Sequence, residues 1–91
     1  ESDRGWAATV HEIGGRAVVL VKGAPERVVD MCRAEIHQGR EAALDPESVR
    51  NEADRMGEKG LRVLAMAVGH GEGTAEAALR GEPSDLVFAG L

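Results

Sequence analysis

Apolar and polar positions alternate between Trp6 and Ile13. Trp6, Ala8 and Val10 fall on one side of an extended chain, and Ala7, Thr9 and His11 on the other, which predicts a strand. Gly14-Gly15 supplies the positive φ values of a tight hairpin turn, and Arg16 to Lys22 is the return strand. Its Ala17-Val18-Val19-Leu20-Val21 stretch is apolar on both faces, which places it centrally in a sheet. Ala24-Pro25-Glu26 opens a helix, with Val28, Val29 and Cys32 on one stripe. Ala34 to Leu44 is polar, holds Gly39 and reads as a linker loop. Asp45-Pro46 is a helix start, Val49, Ala53 and Met56 recur at helical spacing, and Gly60 marks the stop. Leu61 to Val68 reads as a third strand, Gly69 to Gly73 as a loop and Thr74 to Arg80 as a short helix. Glu82-Pro83-Ser84 then turns into a last strand, Asp85 to Gly90. The order β-β-α-α-β-α-β opens on a hairpin. It implies an α+β fold: a mainly antiparallel sheet with helices packed on one face.

Composition narrows the function classes. The chain has 91 residues, room for one compact domain, and a formal net charge of −5. That balance argues against nucleic acid as a partner and against a polybasic membrane-surface module. The longest apolar runs are too short to span a bilayer. Trp6 and Phe88 are the only aromatics, so the core must be built from Val, Leu, Ala and Met. One cysteine, Cys32, allows neither an internal disulfide nor a multi-cysteine metal site and suits a reduced compartment. A start at Glu1-Ser2-Asp3-Arg4 without Met, and a finish on Leu86 to Leu91, read as one monomeric domain, residues 1–91, cut from a longer polypeptide.

Two cations stand out. Lys22 ends an apolar strand and Gly23 follows it, so a flat ligand could approach the backbone there while the lysine reaches a phosphate. A solvated lysine before a helix start is the plainer alternative. Arg62 is the only charge between Gly60 and Gly69; it needs a partner, an exposed strand start or an anionic ligand. The Gly69 to Thr74 segment lacks the lysine and glycine spacing of phosphate loops. His11, His37 and His70 show no metal-ligand spacing, and Cys32 reads as a packing residue of its helix.

Four segments, in order, resemble one family. Val21-Lys22-Gly23-Ala24-Pro25-Glu26 is similar to the K-G-A-P-E motif in the nucleotide-binding domain of type II P-type cation-transporting ATPases. Lys59-Gly60-Leu61-Arg62-Val63-Leu64-Ala65 resembles that family's G-L-R-V-L-A strand, and Asp85 to Leu91 its D-L-x-F-x-G-L segment. Ser2-Asp3-Arg4 through His11 resembles its S-E-R-K-x-M-A-T-L-H strand. The resemblance implies ATP as the ligand, with Mg2+ accompanying the nucleotide. It implies that Lys22 lines the pocket beside the adenine, Gly23 forms its floor, Arg62 meets the phosphate end, and Ser2 and Arg4 flank the base. It also implies a cytoplasmic domain of an integral membrane pump, partnered by phosphorylation and actuator domains of the same parent and making no membrane contact itself.

The sequence departs from that pattern in places. The family's adenine-stacking Phe would fall before Glu1, its Lys is Gly5 here, and its Met is Ala7. No Asp-Lys-Thr-Gly-Thr occurs, so this chain alone is not expected to hydrolyse ATP by the family's route. Two other readings stay open: a relative of the same fold that has lost nucleotide binding and serves as an interaction module, and an unrelated acidic protein-binding domain.

Overall fold

The computed structural model describes residues 5–91. Among them six strands form one sheet, in the order β1-β2-β5-β6-β3-β4. β1 (Trp6–Ile13) and β2 (Arg16–Gly23) form the expected hairpin, in register from Trp6 opposite Gly23 to Ile13 opposite Arg16. β5 (Ala65–His70) pairs antiparallel with β2 and with β6 (Leu86–Gly90). The β3–β6 pair is parallel, and the other four are antiparallel. The α+β expectation therefore holds.

The two sheet faces differ. Val19 and Val21 of β2, Ala65 and Ala67 of β5, and Leu86 and Phe88 of β6 join one buried cluster with Val28, Val29, Val49 and Ala75 of the helices. Leu20, Ile36 and Met66 point the other way and are exposed. The fully apolar stretch in β2 thus marks a strand with neighbours on both sides, covered by helices on one face among the described residues.

The helices follow local signals. α1 (Pro25–Val29) has Pro in its first turn and buries Val28 and Val29. α2 (Pro46–Glu58) is capped by Asp45, whose side chain accepts from the Ser48 N–H at 3.2 Å. α3 (Glu72–Leu79) buries Ala75 and Ala77.

Four expectations are corrected. The segment read as a linker is a hairpin of β3 (Cys32–His37) and β4 (Arg40–Ala43). Gln38 (φ 53°) and Gly39 (φ 79°) make its two-residue turn, both in the left-handed region that such hairpins require. Cys32 is the first residue of β3 and not part of a helical stripe, because pairing with β6 draws the chain into the sheet. The third strand starts at Ala65 and not at Leu61. Gly60 (φ 81°) donates to the Gly57 carbonyl at 2.9 Å and Leu61 to that of Met56 at 3.3 Å, closing α2 in a Schellman arrangement. The Leu61 N–H is spent on the cap and is not available to a sheet ladder. At its other end β5 runs through Gly69 to His70, and the turn falls at Gly71 (φ 101°), so the expected loop is shorter and α3 begins earlier.

Cys32 is half-buried, its thiol donates to the Val28 carbonyl at 3.2 Å, and burial pushes its pKa up to about 11. At pH 8 its alkylation is expected to run about a hundredfold slower than that of an unhindered cysteine, because the thiolate is the reactive form. Iodoacetamide labelling followed by mass spectrometry checks this; labelling at the rate of the unfolded chain would contradict it.

Candidate functional site

Three chain segments end at one cleft. The start of β1 brings Gly5, Trp6 and Ala7; the end of β2 brings Lys22, Gly23 and Ala24; the approach to β5 brings Arg62, Val63 and Leu64. The space between them is about 480 Å³. Lys22, Gly23 and Arg62, separated by up to forty positions in sequence, are thereby brought together. Of the alternatives for Arg62, an exposed position at the strand's approach is the one found: it stands in the irregular stretch before β5, outside the strand expected from Leu61, and meets solvent without a desolvation penalty. Ser2 and Arg4 lie outside the described residues.

The cleft is suited to an organic anion. Lys22 and Arg62 are exposed, and neither forms an ion pair with a described residue. None of the nine lining residues is a carboxylate. Ala7, Val63 and Leu64 add apolar wall, with Leu64 about half exposed. A ligand with an apolar ring and several negative charges matches that set.

The chain itself requires a glycine at position 23. A Cβ there would stand 2.5 Å from the Gly5 carbonyl oxygen and 2.6 Å from the Trp6 Cα. The Ala24 N–H donates to that same Gly5 carbonyl at 2.8 Å, tying the start of β1 to the start of α1. Trp6 is half-buried and packs against the core. It stands opposite Gly23, on the face of Val19 and Val21, whereas Lys22 stands opposite Ala7 and Met66 on the other face. The Trp6 side chain therefore lies on the helix-covered side of the sheet and that of Lys22 on the other.

One residue beside Gly5, though not among those that line the cleft, was not singled out from sequence. The Cγ of Arg27 in α1 lies 3.7 Å, and its Nε 3.9 Å, from where a Cβ of Gly5 would stand. No local pattern pairs position 5 with position 27; only the crossing of α1 over the start of β1 does.

A second cleft of about 650 Å³ lies between the β1–β2 hairpin and α3. It is larger but carries Glu12, Glu72 and Glu76 against Arg16, the wrong balance for a polyanion. Among the described residues no group of three or more His, Cys, Asp or Glu is placed to hold a metal ion.

Comparison with known proteins identifies the family. The model of the P-type ATPase cytoplasmic domain N matches residues 1–91. The chain belongs to the family of P-type ATPase N domains. The probable cation-transporting ATPase F of Mycobacterium bovis is 41% identical over 76 residues, covering 82% of this chain and 8% of that protein. The probable cation-transporting ATPase I of Mycobacterium tuberculosis is 36% identical over 69 residues, 74% of this chain and 4% of that protein. The cation-transporting ATPase pma1 of Synechocystis is 32% identical over 93 residues, the whole of this chain and 10% of that protein. The chain thus spans a tenth or less of the length of these relatives. No helix among the described residues is long and apolar enough to cross a membrane.

Proposed function

We propose that this domain holds ATP for a type II P-type cation-transporting ATPase, presenting the γ-phosphate to an Asp in a separate phosphorylation domain. The observation that carries the reading is the pair Lys22 and Arg62, two cations without carboxylate partners among the described residues, converging on one cleft. Lys22 would lie along the base and reach toward the phosphates, with Ala7 and Leu64 as the apolar wall. Arg62 would neutralise the phosphate end. Mg2+ would arrive on the nucleotide's own phosphates, because the cleft walls offer it no carboxylate.

The chemistry expected of such a domain is positioning and charge neutralisation. Phosphoryl transfer needs an in-line nucleophile and little covalent help. Binding at the adenosine end, remote from the reacting phosphorus, can drive domain closure and deliver the γ-phosphate. The membrane-bound parent, its transport activity and its actuator domain are part of the same proposal; the names of the relatives, cation-transporting ATPases, support the transport activity.

A second reading keeps the fold and drops the ligand. Gly5 carries no side chain, and the one aromatic at the cleft, Trp6, approaches from the helix side. A domain without a stacking aromatic would lose roughly 1–3 kcal/mol of base affinity and could act by docking to neighbouring domains alone.

An amide-shift titration of the 91-residue chain with ATP separates the two. Shifts centred on Lys22, Gly23 and Arg62 are expected. Lys22→Ala and Arg62→Ala should each weaken binding by about threefold to thirtyfold, in the range of lost charge-assisted contacts, with thermal midpoints unchanged. No shift at millimolar ATP would favour the second reading.

A further inference from the structure

We propose that the groove between the β1–β2 hairpin and α3 docks a basic amphipathic helix of a partner protein. The proposal does not rest on the ATP reading. The groove lies at the opposite end of β1 and β2 from the cleft of Lys22 and Arg62.

Two elements make its walls. In the hairpin, Val10 stands opposite the buried Val19, and Glu12 opposite Ala17, so these positions face the side of the sheet that the helices cover. In α3, Glu72, Ala75, Glu76 and Leu79 border the groove at the i, i+3, i+4, i+7 spacing of one helix face. Val10, Ala17, Ala75 and Leu79 thus form an apolar floor, and it is left uncovered. Val10 is 37% exposed, and Leu79, at 75%, is the most exposed large apolar side chain among the described residues. The helix layer ends over β1, the edge strand of the sheet, and leaves about 650 Å³ open there.

Charge selects the occupant. Glu12, Glu72 and Glu76 are exposed, and none forms an ion pair with a described residue. Arg16 also borders the groove, but it stands opposite Ile13, one position beyond the Glu12–Ala17 pair, so strand alternation turns its side chain to the other face. Three carboxylates around an aliphatic floor match Lys or Arg flanking an aliphatic stripe. The same charges repel nucleic acid and anionic lipid headgroups. A second copy of this chain, with its net charge of −5, would set acid against acid. Length suits a helix: the eight residues of α3 rise about 12 Å, room for two turns of a partner at the roughly 8–10 Å axis spacing of packed helices.

The test uses the 91-residue chain and a synthetic helical peptide of about four turns, with Leu along one stripe and Lys on the flanks. Amide shifts should centre on Val10, Ala17, Ala75 and Leu79 and leave Lys22 and Gly23 unmoved. Leu79→Ser should weaken the peptide about tenfold. Glu72→Gln with Glu76→Gln should weaken it about threefold to tenfold. Both sites are exposed, so thermal midpoints should stay at the wild-type value. Glu47→Gln with Glu58→Gln removes the same charge from α2 and should bind as wild type. A peptide with Glu in place of Lys, or Ser in place of Leu, should bind at least tenfold more weakly. An equal loss in the α2 variant, or shifts spread over the acidic surface, would show attraction to net charge alone and overturn the proposal. So would no shift at millimolar peptide. Dimerisation of the free chain in sedimentation, abolished by Leu79→Ser, would assign the groove to a second copy instead.

Discussion

Gly23→Ala is expected to destabilise the domain by about 3 kcal/mol, toward the upper end of what overpacking costs. Domains of this length lose roughly 4–8 °C of thermal midpoint per kcal/mol, so a fall of about 12–24 °C should appear in a melt followed by circular dichroism. The added methyl would sit 2.5 Å from a backbone oxygen and 2.6 Å from a backbone carbon, atoms that cannot step aside as a flexible side chain can. Relief requires Gly5 and Trp6 to move off the end of β2, breaking the Ala24–Gly5 hydrogen bond. Trp6 is the only tryptophan, so its emission reports the same event locally and should shift to the red as the indole leaves the core. The result bears on function, because a glycine beside a lysine proposed to bind ATP invites the view that the ligand needs the space. If Gly23→Ala melted as wild type but bound ATP poorly, the ligand and not the chain would be what the glycine accommodates.

What the residues revealed depended on whether the deciding interaction was local. Alternation from Trp6 to Ile13, two glycines and an apolar return strand define the β1–β2 hairpin within eighteen residues, and the structure repeats it residue for residue. Asp45-Pro46 carries its own cap, so the start of α2 was legible as well. The β3–β4 hairpin was not. Its turn places a glutamine at φ 53°, a conformation usually signalled by Asn, Asp or Gly, and β3 is held by a parallel neighbour some fifty residues away. The start of β5 was obscured for a different reason: Leu61 looks like a strand residue by composition, yet its N–H belongs to the helix before it.

The site divides the same way. Lys22 and Gly23 are adjacent, and the pentapeptide around them carries their interest without any structure. Arg62 stood out as a lone charge in an apolar run, but its irregular backbone and its approach to Lys22 are tertiary facts. The face of Trp6 was legible from alternation, because Ala8 and Val10 share it. The approach of Arg27 to Gly5, beside the cleft, was hidden, since only the passage of α1 over Gly5 relates them.

Leu86→Ala should cost about 3–5 kcal/mol, in the upper part of the range for truncating a buried leucine. For a chain of 91 residues a total stability of about 5–14 kcal/mol is ordinary, so this one change removes a large share. Leu86 is 0% exposed, and its N–H donates to the Met31 carbonyl at 3.0 Å, fixing where β6 enters the sheet. Its Cδ2 stands only 2.6 Å from where a Cβ of Gly69 would be, with Thr74 Cγ2 at 2.7 Å on the other side. Leucine and glycine thus share one volume across β5 and β6. Gly69→Ala alone should destabilise by about 1–3 kcal/mol through overpacking. In the double variant the new methyl enters space the leucine has left, so the combined cost should fall short of the sum by about 1 kcal/mol. Urea unfolding with a common slope measures all four corners of that cycle. Strict additivity would mean that the two positions do not compete for the same space. The cleft lies at the opposite end of β5, where Arg62 to Leu64 enter it. The folded fraction of each variant should therefore bind ATP as wild type does, which separates what holds this domain together from what its strand ends present to the ligand.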